Sequence, residues 1–420
     1  MSRQVISLGC RLNSYESGII QKHIKAAGLD DAFVVNSCAV TTEAVRQSRQ
    51  ALRRLRRDNP DATLIATGCA AQINSGEFAD MKEVDFVFGN REKMQASRFR
   101  ALASGDSPRV QVDDIMEATQ ASEAGQPLPE FNERARAFLQ VQNGCNHRCT
   151  FCIIPFGRGN ARSMPPREVA ARARELARKG FSEITLTGVD LTAYGQDLDP
   201  PMCLGDLLAH LLDAVPEAQR LRLSSLDAIE LDPLALELIG SEKRLMPHVH
   251  LSLQSGDDII LKRMKRRHSR KDAIDLCDRL RGRRGDIVFG ADLIAGFPTE
   301  TEEMFRQTER LVDECGLTWL HVFAFSPRPG TPAARMPPTP SAQIQERARR
   351  LRELGGNAAR RYAQSLVGTS QEVLVESPAR ARNGQYALIE IPEGDAVAGR
   401  VMRAHIKEAR GNTPIGVMAS

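Results

Sequence analysis

The chain is poor in aromatics: Phe, Tyr and Trp make up 5% of its 420 residues, and Trp occurs once. Broad stacking on nucleic-acid bases is therefore not its main device. No window holds about 18 uninterrupted apolar residues, so no membrane-spanning helix is expected. The opening MSRQVISLGC runs straight into a β-like stretch, with no basic n-region, long apolar h-region or small-residue cleavage site. That predicts a soluble, cytoplasmic protein. A large charge of one sign is also missing. The 57 Lys and Arg against 53 Asp and Glu leave a net +4, which neither demands nor excludes a polyanionic partner.

What is present is a globular composition, 42% hydrophobic and 26% charged, enough for about two or three cores at ~150 residues each. Nine cysteines stand in this chain, and disulfides are not the expected use of them in the cytosol. Cys203, Cys277 and Cys315 fall inside helical patterns and read as core thiols. The other six stand at the ends of apolar runs, where a core role does not account for them.

Along the first hundred residues one pattern repeats: an apolar run ending in Cys, then a helical stretch. The runs are 5–10, 33–38 and 63–69, ending in Cys10, Cys38 and Cys69, and a fourth at 84–90 closes the series. Strands alternating with helices predict an α/β unit with a parallel sheet, whose functional crevice lies at the carboxyl ends of the strands. The three cysteines are therefore expected to converge.

Residues 105–130 lose periodicity, gain Ser, Gly, Pro and acids, and read as a linker between a domain at 1–104 and one at 131–363. From there β-like runs return at 138–142, 183–187, 220–224, 248–254, 286–294 and 318–325, separated by helical segments. Six such strands predict a partial (β/α) barrel, since a closed eight-stranded one needs roughly 250 residues and about 190 are available. An Arg-rich helix is expected at 341–364. Alternating runs at 371–375, 386–391 and 396–401 predict a small all-β module over 364–420.

The barrel opens with Gly144-Cys145-Asn146-His147-Arg148-Cys149-Thr150-Phe151-Cys152, a C-x3-C-x2-C spacing at a strand's carboxyl end, where barrel enzymes place their chemistry. Structural zinc is the rival reading, but it wants four closed ligands and no second pair follows. Iron-sulfur cubanes are normally held by four thiolates, so three leave one iron open. The amine and carboxylate of S-adenosylmethionine suit that position, and one electron passed to the sulfonium would then release a 5′-deoxyadenosyl radical. Other strand ends carry Gly188, Ser224, Gln254 and Gly296, and glycine there allows close backbone approach to a ligand. With Phe151 and Asp292 they are the candidate S-adenosylmethionine contacts. His248 and His250 share one face of a strand and read as packing or rim residues.

The stretch VQNGCNHRCTFCIIPFGRG, followed by LTGVDLTAYG, HLSLQSG, DLIAGFPTET and FAFSPRPGTPAA, resembles the radical S-adenosylmethionine methylthiotransferases along nearly the whole chain. The resemblance implies that Cys145, Cys149 and Cys152 hold the radical 4Fe-4S cluster. It also implies that Cys10, Cys38 and Cys69 hold a second 4Fe-4S cluster, which delivers sulfur through its own open iron, and that the carboxyl-terminal module is an RNA-binding TRAM fold. ISLGCRLNSYES and VNSCAVTTEAVRQSRQALRRLRRDNPDATLIATGCAAQ look most like the branch that acts on N6-threonylcarbamoyladenosine beside the anticodon of tRNA. The branch acting on isopentenyladenosine, and a non-catalytic iron-sulfur RNA-binding scaffold, are the alternatives. A tRNA anticodon stem-loop, a flavodoxin-type electron donor and a monomeric state are the implied partners and form.

Two basic runs carry no interleaved acid: Arg46, Arg49, Arg53, Arg54, Arg56 and Arg57 on one predicted helix, and Lys262, Arg263, Lys265, Arg266, Arg267, Arg270 and Lys271. They are expected to grip the phosphates of the stem and loop.

Overall fold

Five short strands, Val5–Ser7, Ala32–Ser37, Thr63–Gly68, Phe86–Phe88 and Val110–Gln111, pair in that order and all in parallel. This is the amino-terminal sheet of a computed structural model that describes residues 4–118, 126–129, 135–392 and 396–418. Ala32–Ser37 is buried at every position, as a parallel strand covered on both faces requires. Leu52, Leu55 and Phe78 cover one face, and Ile20, Ile24 and Phe99 the other. Helix Thr42–Asp58 begins where Thr41 Oγ1 accepts the Ala44 N–H at 3.1 Å, satisfying a donor the first turn leaves free.

The fifth strand falls inside the stretch expected as a linker. Two residues show no period, and Pro108, Asp113 and Asp114 around them read as loop. Of that expected linker, residues 119–125 and 130 lie outside the described residues.

Strands Arg136–Gln140, Glu183–Thr187 and Arg220–Leu223 form one parallel set, and His248–Gln254, Val288–Ala295 and Leu317–Ala324 another. Single bridges, Leu221 to Leu245 and Leu226 to Leu251, join them into the partial barrel that the six apolar runs predict. One core including Leu139, Leu186, Leu221, Leu251 and Phe289 fills it. Helix Ser341–Ser365 leads out to a closed five-stranded barrel of Ser370–Ser377, Arg380–Asn383, Leu388–Glu390, Thr413–Met418 and Val401–Arg410. The strand expected at 396–401 instead starts at Val401 and runs to Arg410. Only Ala404 and Ile406 of this polar segment are buried, so its apolar signal is thin.

The small barrel forms the floor of the large one. Glu183, 1% exposed, meets Arg222 at 2.8 Å, Arg220 at 3.2 Å and Arg136 at 3.8 Å. Arg222 Nη1 also donates to the Gly384 carbonyl at 2.9 Å, and Arg136 pairs with Glu376. Between these groups stands Tyr386, stacked on His248 at 4.9 Å between ring centroids. The guanidiniums of Arg382, Arg222, Arg136 and Arg11 lie 4.4, 4.9, 5.4 and 5.6 Å from its ring, and its hydroxyl accepts from Arg11 at 3.2 Å. Such cation–π contacts strengthen as water is excluded. Burial alone would raise the phenol, but the surrounding arginines bring Tyr386 down to about 8.

Burial likewise opposes the charge of Glu183, yet Arg222, Arg220 and Arg136 hold it at about 2, below its ordinary 4.5. A carboxyl with a depressed folded value adds stability above its unfolded value and loses it as pH falls toward the folded one. Glu183 should therefore contribute fully at neutral pH and progressively less as acid approaches pH 2. Glu183→Gln leaves its arginines uncompensated and should lower stability at pH 7 by about 3–5 kcal/mol in urea unfolding, with a smaller difference in acid.

Candidate active site

The amino-terminal thiols converge as their strand-end positions predict. Cys10 caps helix Arg11–Ala26, Cys38 follows strand Ala32–Ser37, and Cys69 opens helix Cys69–Ile73. Two glycines allow this crowding. Gly9 and Gly68 both hold φ of +94°. A Cβ on Gly9 would lie 2.7 Å from Cys38 Sγ, and one on Gly68 would lie 2.3 Å from the Ser37 carbonyl oxygen. Burial and the neighbouring Cys69 push the Cys38 thiol up to about 12.

Into this site reaches Arg158, from helix Ile154–Arg158 of the barrel domain, at 2% exposure. Its Nε donates to Cys69 Sγ at 3.2 Å, and its Nη atoms donate to Asn13 and Glu16. Lys93 Nζ, also buried, donates to Glu16 at 2.7 Å, Asn36 at 3.1 Å and Asn90 at 2.6 Å. Burial works against the Glu16 charge, but Arg158 and Lys93 together hold its carboxyl below the ordinary range.

The second set lies across a cavity of about 260 Å³. Val40 and Thr41 from the Cys38 loop line one side; Phe151 and Ile154 from the other cysteine loop, with Gln254, Asp292 and Phe325, line the other. Cys145 Sγ stands 3.5 Å from Asp190 Oδ2, and Arg266 Nη1 donates to Cys149 Sγ at 3.8 Å. His147 Nε2 lies 3.4 Å from Asp190 and 3.3 Å from Glu230. Burial and Asp190 raise the Cys145 thiol, and burial lifts Cys152 to about 11. Cys149 differs: burial would raise it, yet the His147 hydrogen bond and the Arg266 charge hold it below an ordinary thiol.

Profiles of known families match both halves: the Radical SAM superfamily over residues 139–312, and Uncharacterized protein family UPF0004 over residues 3–89. The chain is 44% identical to Threonylcarbamoyladenosine tRNA methylthiotransferase MtaB of Rickettsia prowazekii (strain Madrid E), covering 97% of this chain and 95% of that one. The chain belongs to the radical S-adenosylmethionine methylthiotransferases. MtaB of Bacillus subtilis (strain 168) is 36% identical over 88% of this methylthiotransferase and 84% of its own length. The tRNA-2-methylthio-N(6)-dimethylallyladenosine synthase of Ehrlichia canis (strain Jake) is 33% identical over 88% and 87%. Among solved structures, the radical S-adenosylmethionine methyltransferase TsrM from Kitasatospora setae shares the fold, with a TM-score of 0.56, 18% identity, and coverage of 75% of this chain and 68% of that one.

Of the six candidate cofactor contacts in this methylthiotransferase, Phe151, Gln254 and Asp292 line the cavity together. Gln254 holds φ of +69°, a left-handed conformation that a non-glycine residue adopts at a cost. Asp292 Oδ1 accepts from His250 at 3.0 Å and lies 3.2 Å from His321 Nδ1. Desolvation opposes its charge, yet these imidazoles hold the carboxyl well below the usual range. Ser224 is buried and does not line the cavity, its Oγ without a hydrogen-bond partner among the described residues. Gly188 abuts Gln142, and Gly296 abuts Ile344 of the long helix, so both serve close packing and neither lines the cavity.

Sequence reasoning missed Arg158, Glu16 and Lys93. Asn13 and Glu16 repeat the i, i+3 spacing on one helix, and that polar stripe on a buried face was the available signal. The basic runs carry acidic partners that the sequence does not show. Arg46, Arg49, Arg53 and Arg56 pair with Glu43, Glu77, Glu83 and Asp85, most of them acids supplied from elsewhere in the fold. Arg266 is buried against Cys149 and Asp227, Arg267 pairs with Glu230, and Arg270 with Glu314. Cys203 is a helix N-cap whose Sγ meets Asp206 at 3.1 Å, not a core thiol, while Cys277 and Cys315 are buried as expected.

Arg158→Met should destabilise the chain strongly in urea unfolding, because Glu16 then keeps only Lys93. The double variant Glu16→Gln with Arg158→Met should recover part of the loss, giving a coupling of about 1–3 kcal/mol. Strict additivity would mean that the two groups stabilise the chain independently.

Proposed function

We propose that this chain adds a methylthio group to C2 of N6-threonylcarbamoyladenosine beside the anticodon of tRNA. The observation that carries the proposal is one cavity lined on one side by the loop after Cys38 and on the other by Phe151 and Ile154 of the Cys145–Cys152 loop. The identity of 44% over nearly full length to a relative named for that nucleoside favours this substrate over dimethylallyladenosine, whose synthase in Ehrlichia canis stands at 33%.

The donor chemistry of both sites suits 4Fe-4S clusters. None of the six cysteines is in a disulfide, and each triplet has a cation against a thiol, Arg158 at Cys69 and Arg266 at Cys149. Cys145, Cys149 and Cys152 would hold the cluster that works with S-adenosylmethionine, and Cys10, Cys38 and Cys69 the second. With these groups bound, the chemistry supplied is one-electron cleavage of a C–S bond at the first site and sulfur delivery at the second.

The chain's own side chains position and protect. His147 and Arg266 favour the thiolate of Cys149. Asp292, anchored by two imidazoles, offers an acceptor that cannot swing, and Gln254 is fixed by its backbone, so both can orient a ligand in the cavity. Phe297 stands edge-on to Phe151 at 6.4 Å and to Phe325 at 5.5 Å, and this aromatic wall keeps water from the apolar side.

With most arginines paired internally, the tRNA stem-loop would meet Lys262 and Lys265. Both are exposed beside Arg263 and Met264, whose carbonyls accept from Thr150 of the cysteine loop. A flavodoxin-type protein would supply the electron, and the chain would act as a monomer. No helix among the described residues is long and apolar enough to cross a membrane, in keeping with work on cytoplasmic tRNA.

Nucleosides from tRNA of cells lacking the protein should show N6-threonylcarbamoyladenosine accumulating without its methylthio form; isopentenyladenosine accumulating instead would assign the other substrate. With purified, loaded protein, Ala at Cys145, Cys149 or Cys152 should abolish 5′-deoxyadenosine formation. Ala at Cys10, Cys38 or Cys69 should spare that product and stop sulfur insertion. Identical behaviour of the two sets would refute the division of labour.

A further inference from the structure

Residues 325–330 leave strand Leu317–Ala324 and cross to the amino-terminal domain. They are fastened there by Ser326, whose Oγ accepts the Thr42 N–H at 3.3 Å and lies 2.9 Å from Thr42 Oγ1, just beyond the Cys38 loop. The segment separates two cavities. Phe325 and Ser326 line the one described above, while Pro329 and Gly330 line another of about 470 Å³ with Gln72 and Ile73 of the Cys69 helix. Arg328 sits on this partition. Pro327 and Pro329 flank it with fixed φ, and its carbonyl accepts from the Thr331 N–H at 3.1 Å and hydroxyl at 2.7 Å. The arm is set before any ligand arrives.

The tip of that arm is unspent. Arg328 Nη1 is buried and has no hydrogen-bond partner among the described residues. The segment that carries it runs between the loop after Cys38, where Ser326 meets Thr42, and the Cys69 helix, where Pro329 and Gly330 face Gln72 and Ile73. The other arginine at the amino-terminal thiols, Arg158, has its donors committed to Cys69, Glu16 and Asn13. A buried guanidinium nitrogen without an acceptor is costly and persists where a ligand completes it. The ligand that completes a cation beside thiols is an anion.

We propose that Arg328 binds the anionic sulfur species carried at the amino-terminal cysteine site and holds it at the boundary with the cavity. This rests on reading Cys10, Cys38 and Cys69 as ligands of a cluster with one open iron. A sulfide or thiolate there presents one negatively charged sulfur, and a charge-assisted N–H donor on a rigid arm restricts where that sulfur points.

The test uses the full chain loaded with iron and sulfide at both sites, titrated with methanethiolate and followed by the electron paramagnetic resonance of the reduced second cluster. Arg328→Gln should weaken methanethiolate binding about ten-fold or more, whereas Arg328→Lys, which keeps the charge, should lose about three-fold. Arg328→Met replaces the Gln variant if that one does not retain iron. Wild-type affinity in a neutral variant with full iron content overturns the proposal. Iron near four per chain in the wild type, against about eight for two clusters, would overturn the reading of the amino-terminal triplet and the proposal with it.

Discussion

A guanidinium sunk to 2% exposure joins the two cysteine-bearing domains, and much else in the molecule follows from the need to compensate it. Arg158 belongs to the barrel domain by sequence, yet its partners Asn13, Glu16 and Cys69 all belong to the amino-terminal sheet domain. A charge in such a place demands its acceptors in full, since leaving one unmet costs more than the set contributes when complete. Lys93 and Asn90 extend the network, and Asn90 also donates to the Gly157 carbonyl beside Arg158. The two domains thus share one buried network, and the loop after Cys38 and the Cys145–Cys152 loop line the same cavity.

The two thiol sets are tuned differently. At the barrel mouth, Cys149 lies below an ordinary thiol while Cys145 and Cys152 lie above, because His147 and Arg266 attend to one sulfur and Asp190 stands against another. At the sheet edge the cation serves Cys69, and Cys38 stays strongly protonated until a ligand takes the proton's place. Each set holds thiols whose burial opposes ionisation, a cost that a bound cation would offset.

Much of this was legible from residue order. Long apolar runs announced all six barrel strands, and the strand-end rule placed Cys10, Cys38 and Cys69 together without any contact being known. What stayed hidden involved partners distant in sequence. Arg56 finds Asp85 and Arg49 finds Glu77, so runs that look purely basic in one dimension are partly paired in three. Arg158 was quoted within a motif but not singled out, because nothing local marks an arginine whose acceptors lie 89 to 145 residues away. Gly188 and Gly296 follow the opposite course: glycine at a strand end signals close approach, but not whether the approaching group is a ligand or the protein itself. The strand Val110–Gln111 and the polar Val401–Arg410 escaped because too few residues carry the alternation.

Tyr386 bears on how such a protein is inherited. The ring comes from the smallest domain, yet its neighbours Arg11, Arg136, Arg222 and His248 come from the other two. A module attached this way is not a detachable passenger. Recombination that replaced it would uncover a ring of arginines and open the base of the barrel, so any change in what the module contacts has to arrive on its outer surface, with the inward tyrosine kept in place.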